Sequence, residues 1–178
     1  MIDELDRANA IITEFLSLAK DRAVEMKEGN LNSTIKSLLP LIQADAFRQG
    51  YEVHAELGDI PDSLFDDKEI RQLILNLVRN GFEAMEPGGK VLIRTYQESS
   101  TIIAAVQDSG TGIPSHVMEK LGNPFVTTKE GGTGLGLPVC YRIADRHNAR
   151  INVATGHEGT AFSIIFPCNE STISNSEH

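Results

Sequence analysis

The sequence predicts an α/β (α+β) sandwich, in which helices cover one face of a mixed, largely antiparallel sheet and a single N-terminal helix precedes it. The elements run helix, strand, helix, hairpin, loop, helix, hairpin, and hairpins pair their strands antiparallel. The regular strand–helix alternation of a doubly wound parallel sheet is missing. With 178 residues, of which 40% are hydrophobic, the chain is large enough for one packed core.

Composition and charge exclude several classes of function. The net charge of −9 and the absence of a Lys/Arg stripe argue against nucleic acid as a partner. We find no run of about 18 apolar residues and no secretory signal pattern, so we expect a cytoplasmic chain without a membrane segment, although a longer parent could be membrane-anchored. Cys140 and Cys168 lie in apolar stretches without a CxxC pair, which predicts buried, reduced thiols.

The first 28 residues predict a helix and a linker. Within 3–22, apolar residues at alternating spacings of three and four form a seam for a partner helix; they are Leu5, Ala8, Ile12, Phe15 and Ala19. This seam either packs on the rest of the chain, joins two copies as a homodimer, or docks to another helix. The polar stretch 25–30 predicts a linker. We therefore divide the chain into helix and linker at 1–28, a main domain at 29–168 and a disordered tail at 169–178.

The main domain opens with a helix and a strand. Asn32 or Ser33 caps this second helix, which ends near Gln49 before a glycine. Pro40 either kinks the helix or marks a boundary within it. Residues 51–57 alternate in polarity, as expected of a strand.

A third helix follows a loop or short strand at 61–66. Asp66 or Asp67 caps this helix, and its apolar stripe continues to about Met85. The remaining elements are a hairpin, a helix and a second hairpin, predicted over 90–97 with 102–108, 134–147, and 150–154 with 161–166. Residues 109–133 form a long glycine-rich loop, which in a compact domain indicates function.

Two asparagines stand in the middle of the apolar third helix. Asn76 and Asn80 are four residues apart and therefore share one face of the helix. An amide oxygen is a suitable neutral ligand for Mg²⁺, which keeps several waters and shares phosphate oxygens. The alternative is that both side chains only hydrogen-bond neighbouring backbone.

A second motif ends the strand 102–108. Asp108 can accept a hydrogen bond from an exocyclic amine such as that of adenine, and Gly110 and Gly112 let the backbone turn close to a flat ring. The alternative is an ordinary Asp-Ser-Gly turn.

A third motif places four glycines within 131–136, directly before a helix. Glycines allow successive N–H groups to point at a phosphate, and the helix N-terminus adds its dipole. No Lys-Ser or Lys-Thr follows, so this is not a Walker loop. The alternative is a flexible connector.

Together these motifs resemble the GHKL family of ATP-binding proteins, which comprises gyrase, heat-shock chaperone 90, histidine kinases and MutL. The N box matches Asn76–Asn80, the first glycine box matches 108–112, the F box 123–129, the second glycine box 132–137, and a short closing motif 159–162. The resemblance covers roughly residues 30–168 and implies the Bergerat-type ATP-binding fold.

Within this family the chain is most similar to sensor histidine kinases of the nitrogen-regulation and sporulation type. The ATPase members carry Glu at the first N-box position to activate water, whereas this chain carries Asn76. The Pro-Phe-Val-Thr-Thr-Lys run is also typical of the kinases. Glu83 departs from the pattern, because many of these kinases place a Lys there. The resemblance then implies that Mg²⁺, Lys129 and Arg79 neutralise the phosphates.

The acceptor histidine of such kinases, which lies in a His-Glu context on a helical hairpin, is absent from this chain. Only His157 precedes a Glu, and it lies in a turn. Residues 3–22 look like the distal part of the second hairpin helix. The resemblance therefore implies the donor half of the reaction, with the histidine-bearing hairpin and a response regulator as partners.

The resemblance also implies a role for each site residue. Asp108 recognises the adenine amine, Asn80 holds Mg²⁺, and Asn76 and Lys129 act in catalysis, with Lys129 at the γ-phosphate. The remaining ATP-binding residues are Gly110, Gly112, Ile113, Thr127, Thr128, Gly132, Thr133, Gly134, Leu135, Gly136 and Thr160. Two rival functions stay open, namely a Ser/Thr protein kinase like the anti-sigma factors and a non-catalytic, nucleotide-gated binding module.

Overall fold

A computed structural model describes residues 5, 8–9, 11–13, 15–16, 23–127 and 132–168. It confirms the mixed α/β class, with a mainly antiparallel five-stranded sheet. All described residues before 17 are helical, and Leu5, Ile12, Phe15 and Leu16 among them are exposed. The rest of the helix expected at 3–22, and the tail expected at 169–178, lie outside the described residues. No described helix combines the length and apolarity that crossing a membrane requires.

Among the described residues, seven strands form two sheets. They are β1 (Lys27–Gly29), β2 (Glu52–Leu57), β3 (Ser63–Phe65), β4 (Lys90–Glu98), β5 (Thr101–Asp108), β6 (Arg150–Gly156) and β7 (Gly159–Pro167). The main sheet has the order β2-β4-β5-β7-β6, in which β2 and β4 are parallel and the other neighbours antiparallel. β5 is thus the central strand, and its last residue, Asp108, lies opposite Thr160 of β7.

In 23–127 and 132–168, the parts of the chain that the structure describes beyond the N-terminal helical residues, there are four helices, namely α1 (Leu31–Gln49), α2 (Asp67–Ala84), α3 (Ser115–Met118) and α4 (Gly136–Arg146). α2 lies in the middle of this layer, in contact with α1, α4, β4 and β5. Ile103 of β5 is buried outside the main core cluster, whereas the strand residues of that cluster alternate along each strand, as in Ile102, Ala104 and Val106 of β5. They therefore point to one face, on which the helices pack.

The structure shows which residues cap α1 and α2, for each of which the sequence left two candidates. α2 begins at Asp66, whose side chain accepts from the N–H groups of Lys68 and Glu69. For α1, both predicted caps are wrong, because Asn30 is the cap and accepts from the Asn32 N–H at 3.0 Å. Pro40 lies inside α1, which continues through it.

The linker expected at 25–30 contains a strand, since β1 pairs antiparallel with β3. Three residues are too few for a polarity pattern, and the pairing joins segments far apart in the sequence. The loop expected at 109–133 contains the single-turn helix α3, and α4 begins at Gly136 instead of residue 134. Gly134 has φ +66°, a left-handed conformation that does not continue a helix.

The two cysteines differ in burial. Cys140 on α4 is buried, and burial raises the pKa of its thiol to about 12. Cys168 is half-buried, and both thiols are free. The prediction of buried, reduced thiols therefore holds for Cys140 and only partly for Cys168.

Candidate nucleotide-binding site

A cavity of about 640 Å³ lies between α2, the end of β5, the loop that follows β5 and the start of α4. This volume is typical of small-molecule sites. Eleven of the residues predicted from the sequence line it, namely Asn76, Asn80, Asp108, Gly112, Ile113, Thr127, Gly132, Thr133, Gly134, Gly136 and Thr160. The three motifs, which are separated in the sequence, thus converge on one cavity.

The two asparagines of α2 face the start of α4. The Asn76 Nδ2 donates to the carbonyl oxygen of Gly136 at 3.4 Å. A Cβ atom at Gly136 would lie 4.0 Å from the Asn80 Oδ1, so this oxygen lies beside the first turn of α4. The alternative to metal binding was a hydrogen bond from each asparagine to neighbouring backbone. Asn76 does bond a backbone carbonyl, but this carbonyl lies 60 residues away in the sequence.

Asp108 is held by the backbone around it. It is buried, with 6% of its surface exposed. Its Oδ1 accepts from the Gly110 N–H at 2.8 Å and from the Thr160 N–H at 3.3 Å. Gly110 is required here, because a Cβ atom would lie 2.5 Å from the Ala84 carbonyl oxygen. These contacts fix the carboxylate at the bottom of the cavity.

A threonine pair on the second hairpin holds the loop that follows β5. The Ile113 N–H donates to the Thr155 Oγ1 at 2.7 Å, and the Thr155 and Thr160 hydroxyl oxygens are 3.0 Å apart. The sequence analysis missed Thr155, because only the register of β6 and β7 places it opposite Thr160.

The glycine-rich loop reaches the cavity through a tight turn. Gly134 packs against the loop at Phe125, whose N–H donates to the Gly134 carbonyl oxygen at 3.0 Å. A Cβ atom at Gly134 would lie 2.6 Å from the Phe125 carbonyl carbon, so only glycine fits there. Directly before Gly134, the Thr133 hydroxyl oxygen accepts from the Leu135 N–H at 3.3 Å.

Charged residues of α2 lie at the rim of the cavity. Arg79 and Glu83 both line it, and the Arg79 Nε lies 3.0 Å from the Glu83 Oε1. The carboxylate that departs from the family pattern is thus paired with a cation one turn earlier.

Two of the predicted site residues, Gly110 and Leu135, do not line the cavity. Gly110 supports Asp108 from behind, and Leu135 is fully buried in the core. Thr128 and Lys129 lie outside the described residues. The apolar wall of the cavity was missed, because its members are spread over four segments without a common pattern; they are Ala84, Val117, Leu121, Val126, Leu137 and Phe162.

The donor set of the cavity fits a magnesium-bound nucleotide. A fixed carboxylate lies at one end, and amide side chains face a helix N-terminus at the other, where anions are favoured. Across the described ranges, no three His, Cys, Asp or Glu side chains form a cluster that could hold a metal. A Mg²⁺ ion here would therefore depend on amide and phosphate oxygens, which it accepts.

Comparison with known proteins identifies the fold and the family. Residues 65–170 match the family model described as "Histidine kinase-, DNA gyrase B-, and HSP90-like ATPase". The chain belongs to this family. The catalytic domain of the histidine kinase ThkA superposes on this member with a TM-score of 0.74 at 32% identity, over 81% of this chain and 96% of that domain. The fold is therefore that of a histidine kinase catalytic domain.

The curated relatives of this family member are sporulation and sensor histidine kinases. Sporulation kinase C of Bacillus subtilis (strain 168) is 31% identical over 170 residues, which cover 94% of this chain and 40% of that kinase. ThkA in complex with the response regulator protein TrrA has a TM-score of 0.81 at 29% identity, over 94% of this chain and 49% of that chain. The chain spans between 23% and 40% of the length of the curated relatives it matches.

Proposed function

We propose that this chain is the catalytic domain of a two-component sensor histidine kinase. It binds Mg-ATP and donates the γ-phosphoryl group to a histidine on a helical hairpin, from which the group passes to an aspartate of a response regulator. The observation that carries the proposal is the convergence of Asn76, Asn80 and Asp108 with the first turn of α4 on one cavity.

Asp108 and the second hairpin recognise the base. The Asp108 carboxylate accepts the adenine amine, while its Oδ1 stays fixed by the Gly110 and Thr160 N–H groups. Gly112 and Ile113 pack against the ring, because the bond from Ile113 to Thr155 holds this segment beside the cavity. The charge of Asp108 strengthens the hydrogen bond relative to a neutral acceptor.

The start of α4 and the asparagines of α2 bind the phosphates. Backbone N–H groups of 132–136 point at the triphosphate, and the helix dipole of α4 favours its charge. Asn80 supplies an amide oxygen to Mg²⁺, with Asn76 in direct or water-bridged contact, and the bound ion neutralises phosphate charge. Thr127, Thr128, Lys129 and Arg79 complete the phosphate contacts.

Catalysis consists of positioning and charge neutralisation. Asn76 cannot act as a base toward water, which suits transfer to a side chain. An imidazole nitrogen of the acceptor histidine attacks the γ-phosphorus, the bond to the ADP oxygen breaks, and ADP leaves with the negative charge.

The described N-terminal helical residues support a homodimer or hairpin contact. Leu5, Ile12 and Phe15 expose 66%, 55% and 51% of their surface on this helix, which a second helix would cover. We assign 1–28 to the hairpin helix and linker, 29–168 to the catalytic domain and 169–178 to a C-terminal tail, in a protein that acts in the cytoplasm. The response regulator is inferred from the ThkA complex.

A phosphotransfer assay tests the proposal. The chain is mixed with γ-labelled ATP, Mg²⁺ and a separately supplied hairpin peptide from a sporulation kinase, with its acceptor His replaced by Gln in the control. Acid-labile label on the hairpin, absent from the control, is the expected result. Label on a protein serine instead would favour the Ser/Thr kinase, and nucleotide binding without any transfer would favour a binding module.

A further inference from the structure

A chain of hydrogen bonds outside the cavity runs from the end of α4 to the segment before β1. His147 follows α4, and only 1% of its side chain is exposed. The Asp66 N–H donates to its Nε2 at 3.0 Å, and its Nδ1 lies 2.8 Å from the Ile143 carbonyl oxygen. Because a carbonyl oxygen only accepts, Nδ1 carries the proton and Nε2 accepts, so this arrangement requires the neutral ring.

Asp66 continues the chain of bonds on its other side. Its Oδ1 caps α2 by accepting from the Lys68 and Glu69 N–H groups at 3.0 and 3.3 Å. Its Oδ2 accepts from the Glu25 N–H at 2.9 Å. Beyond Glu25, β1 pairs with β3, the strand that leads into Asp66. One residue therefore links His147, α2 and the segment 25–29, which connects the N-terminal helical residues to α1.

The charged groups that face His147 come from α2 and α4. The Glu69 Oε2 lies 3.7 Å from the His147 Nδ1, and it is buried without a hydrogen-bond partner among the described residues. The Glu69 Oε1 lies 2.9 Å from Arg146. The Asp66 backbone N–H faces the opposite ring nitrogen, and β7 contributes the neutral ring of Phe166, edge-on at 6.4 Å. A carboxylate is thus in place beside a ring that can become cationic.

We propose that His147 is a positioning residue whose neutral ring anchors the segment 25–29 to the nucleotide-binding domain, and whose protonation releases that segment. A proton on Nε2 would set two N–H donors against each other at 3.0 Å, and the Asp66 backbone has to move away. The carboxylate that accepts from Glu25 moves with it. This inference goes beyond the proposed function, because it holds whatever ligand the cavity binds.

Hydrogen exchange followed by NMR on the full chain tests the anchor. Amide protection at Glu25, Lys27, Glu28 and Asp66 is measured near pH 7.5 and 5.5, a window in which histidine changes charge, after correction for the intrinsic pH dependence of exchange. Three variants are compared with the wild type. His147→Gln keeps an acceptor that does not titrate, His147→Phe keeps a ring without the acceptor, and His54→Gln changes a histidine whose side chain is 62% exposed.

In the wild type and in His54→Gln, we expect protection of these amides to fall about tenfold at the lower pH, the loss that one broken hydrogen bond gives. His147→Gln keeps high protection at both pH values, and His147→Phe has low protection at both. A wild type without the pH step, or a His147→Gln variant with the same step, would overturn the proposal. If His147→Phe does not fold, the other two comparisons still decide.

Discussion

The Asn76 side chain and the backbone of Gly136 are joined by a hydrogen bond of 3.4 Å, although 60 residues separate them in the sequence. Asn76 belongs to the helix that carries the proposed metal-binding amides, and Gly136 is the first residue of the helix proposed to face the phosphates. The two halves of the proposed phosphate site thus touch at this bond. We expect a displacement of α4 to change the position of the Asn76 side chain.

Replacing Asp108 by Asn should remove the preference for adenine. The amide nitrogen would oppose the adenine amine as a second donor, and the charge-assisted bond is lost, which costs about 2 kcal/mol or roughly 30-fold in affinity. Calorimetry with ATP and with inosine triphosphate, which lacks the amine, measures this preference. Asp145→Asn, an exposed residue of α4, is the control. Unchanged discrimination in Asp108→Asn would contradict the role of Asp108.

Replacing Asn80 by Ala should remove the magnesium dependence of ATP binding. The variant loses the amide oxygen offered to Mg²⁺, so its affinity with Mg²⁺ should fall to the value measured in chelator, a drop of about tenfold or more. Titrations with and without Mg²⁺ provide the measurement, and Asn152→Ala, exposed on β6, serves as control. If Asn80→Ala binds ATP with undiminished sensitivity to Mg²⁺, another group is the ligand.

Replacing Gly134 by Val should block the turn that leads into α4. A Cβ atom would overlap the Phe125 backbone at 2.6 Å, and a β-branched residue at φ +66° adds strain of about 1–3 kcal/mol. Nucleotide affinity should therefore fall at least about tenfold, while the fold persists by circular dichroism. Gly156→Ala is the matched control, because a Cβ atom there meets nothing within 4 Å. Normal binding by Gly134→Val would refute the phosphate cradle.

Replacing Asp67 by Asn should reduce stability at neutral pH and leave it nearly unchanged in acid. Burial of Asp67 raises its pKa, but hydrogen bonds from Thr34 and Arg71 outweigh this effect and lower it. A lowered pKa stabilises the fold above the pKa of the unfolded chain, and the gain is lost as pH falls through the folded pKa. Because 51% of the side chain is exposed, we expect at most about 1 kcal/mol at pH 7.

Urea denaturation between about pH 7 and pH 3 measures this difference. Asp59→Asn, on an exposed loop residue, is the control and should differ little from the wild type at any pH. A stability difference for Asp67→Asn that grows in acid would contradict the sign of the argument.

The sequence alone predicted the elements whose residues repeat with a clear period. The stripe of α2 and the alternation in β4, β5 and β7 each reflect local geometry, because one buried face imposes its period on the side chains. The same local information marked Asn76, Asn80, Asp108 and the glycine loop, since polar residues and glycines in these places conflict with a purely structural role.

Only the tertiary structure decided the features that depend on contacts between distant segments. The strand β1, the pairing of Thr155 with Thr160 and the burial of His147 beside Asp66 have partners far along the chain or set by strand register. Asn30, which caps α1, is also held from afar, because its Nδ2 donates to the Ile60 carbonyl oxygen at 2.9 Å. Backbone hydrogen bonds and burial stabilise these features, and neither produces a periodic pattern in the sequence. The sequence by itself therefore determined which residues are candidates for the chemistry, and the packing of α2, α4 and the sheet determined how they meet, because distance in space is not encoded in local pattern.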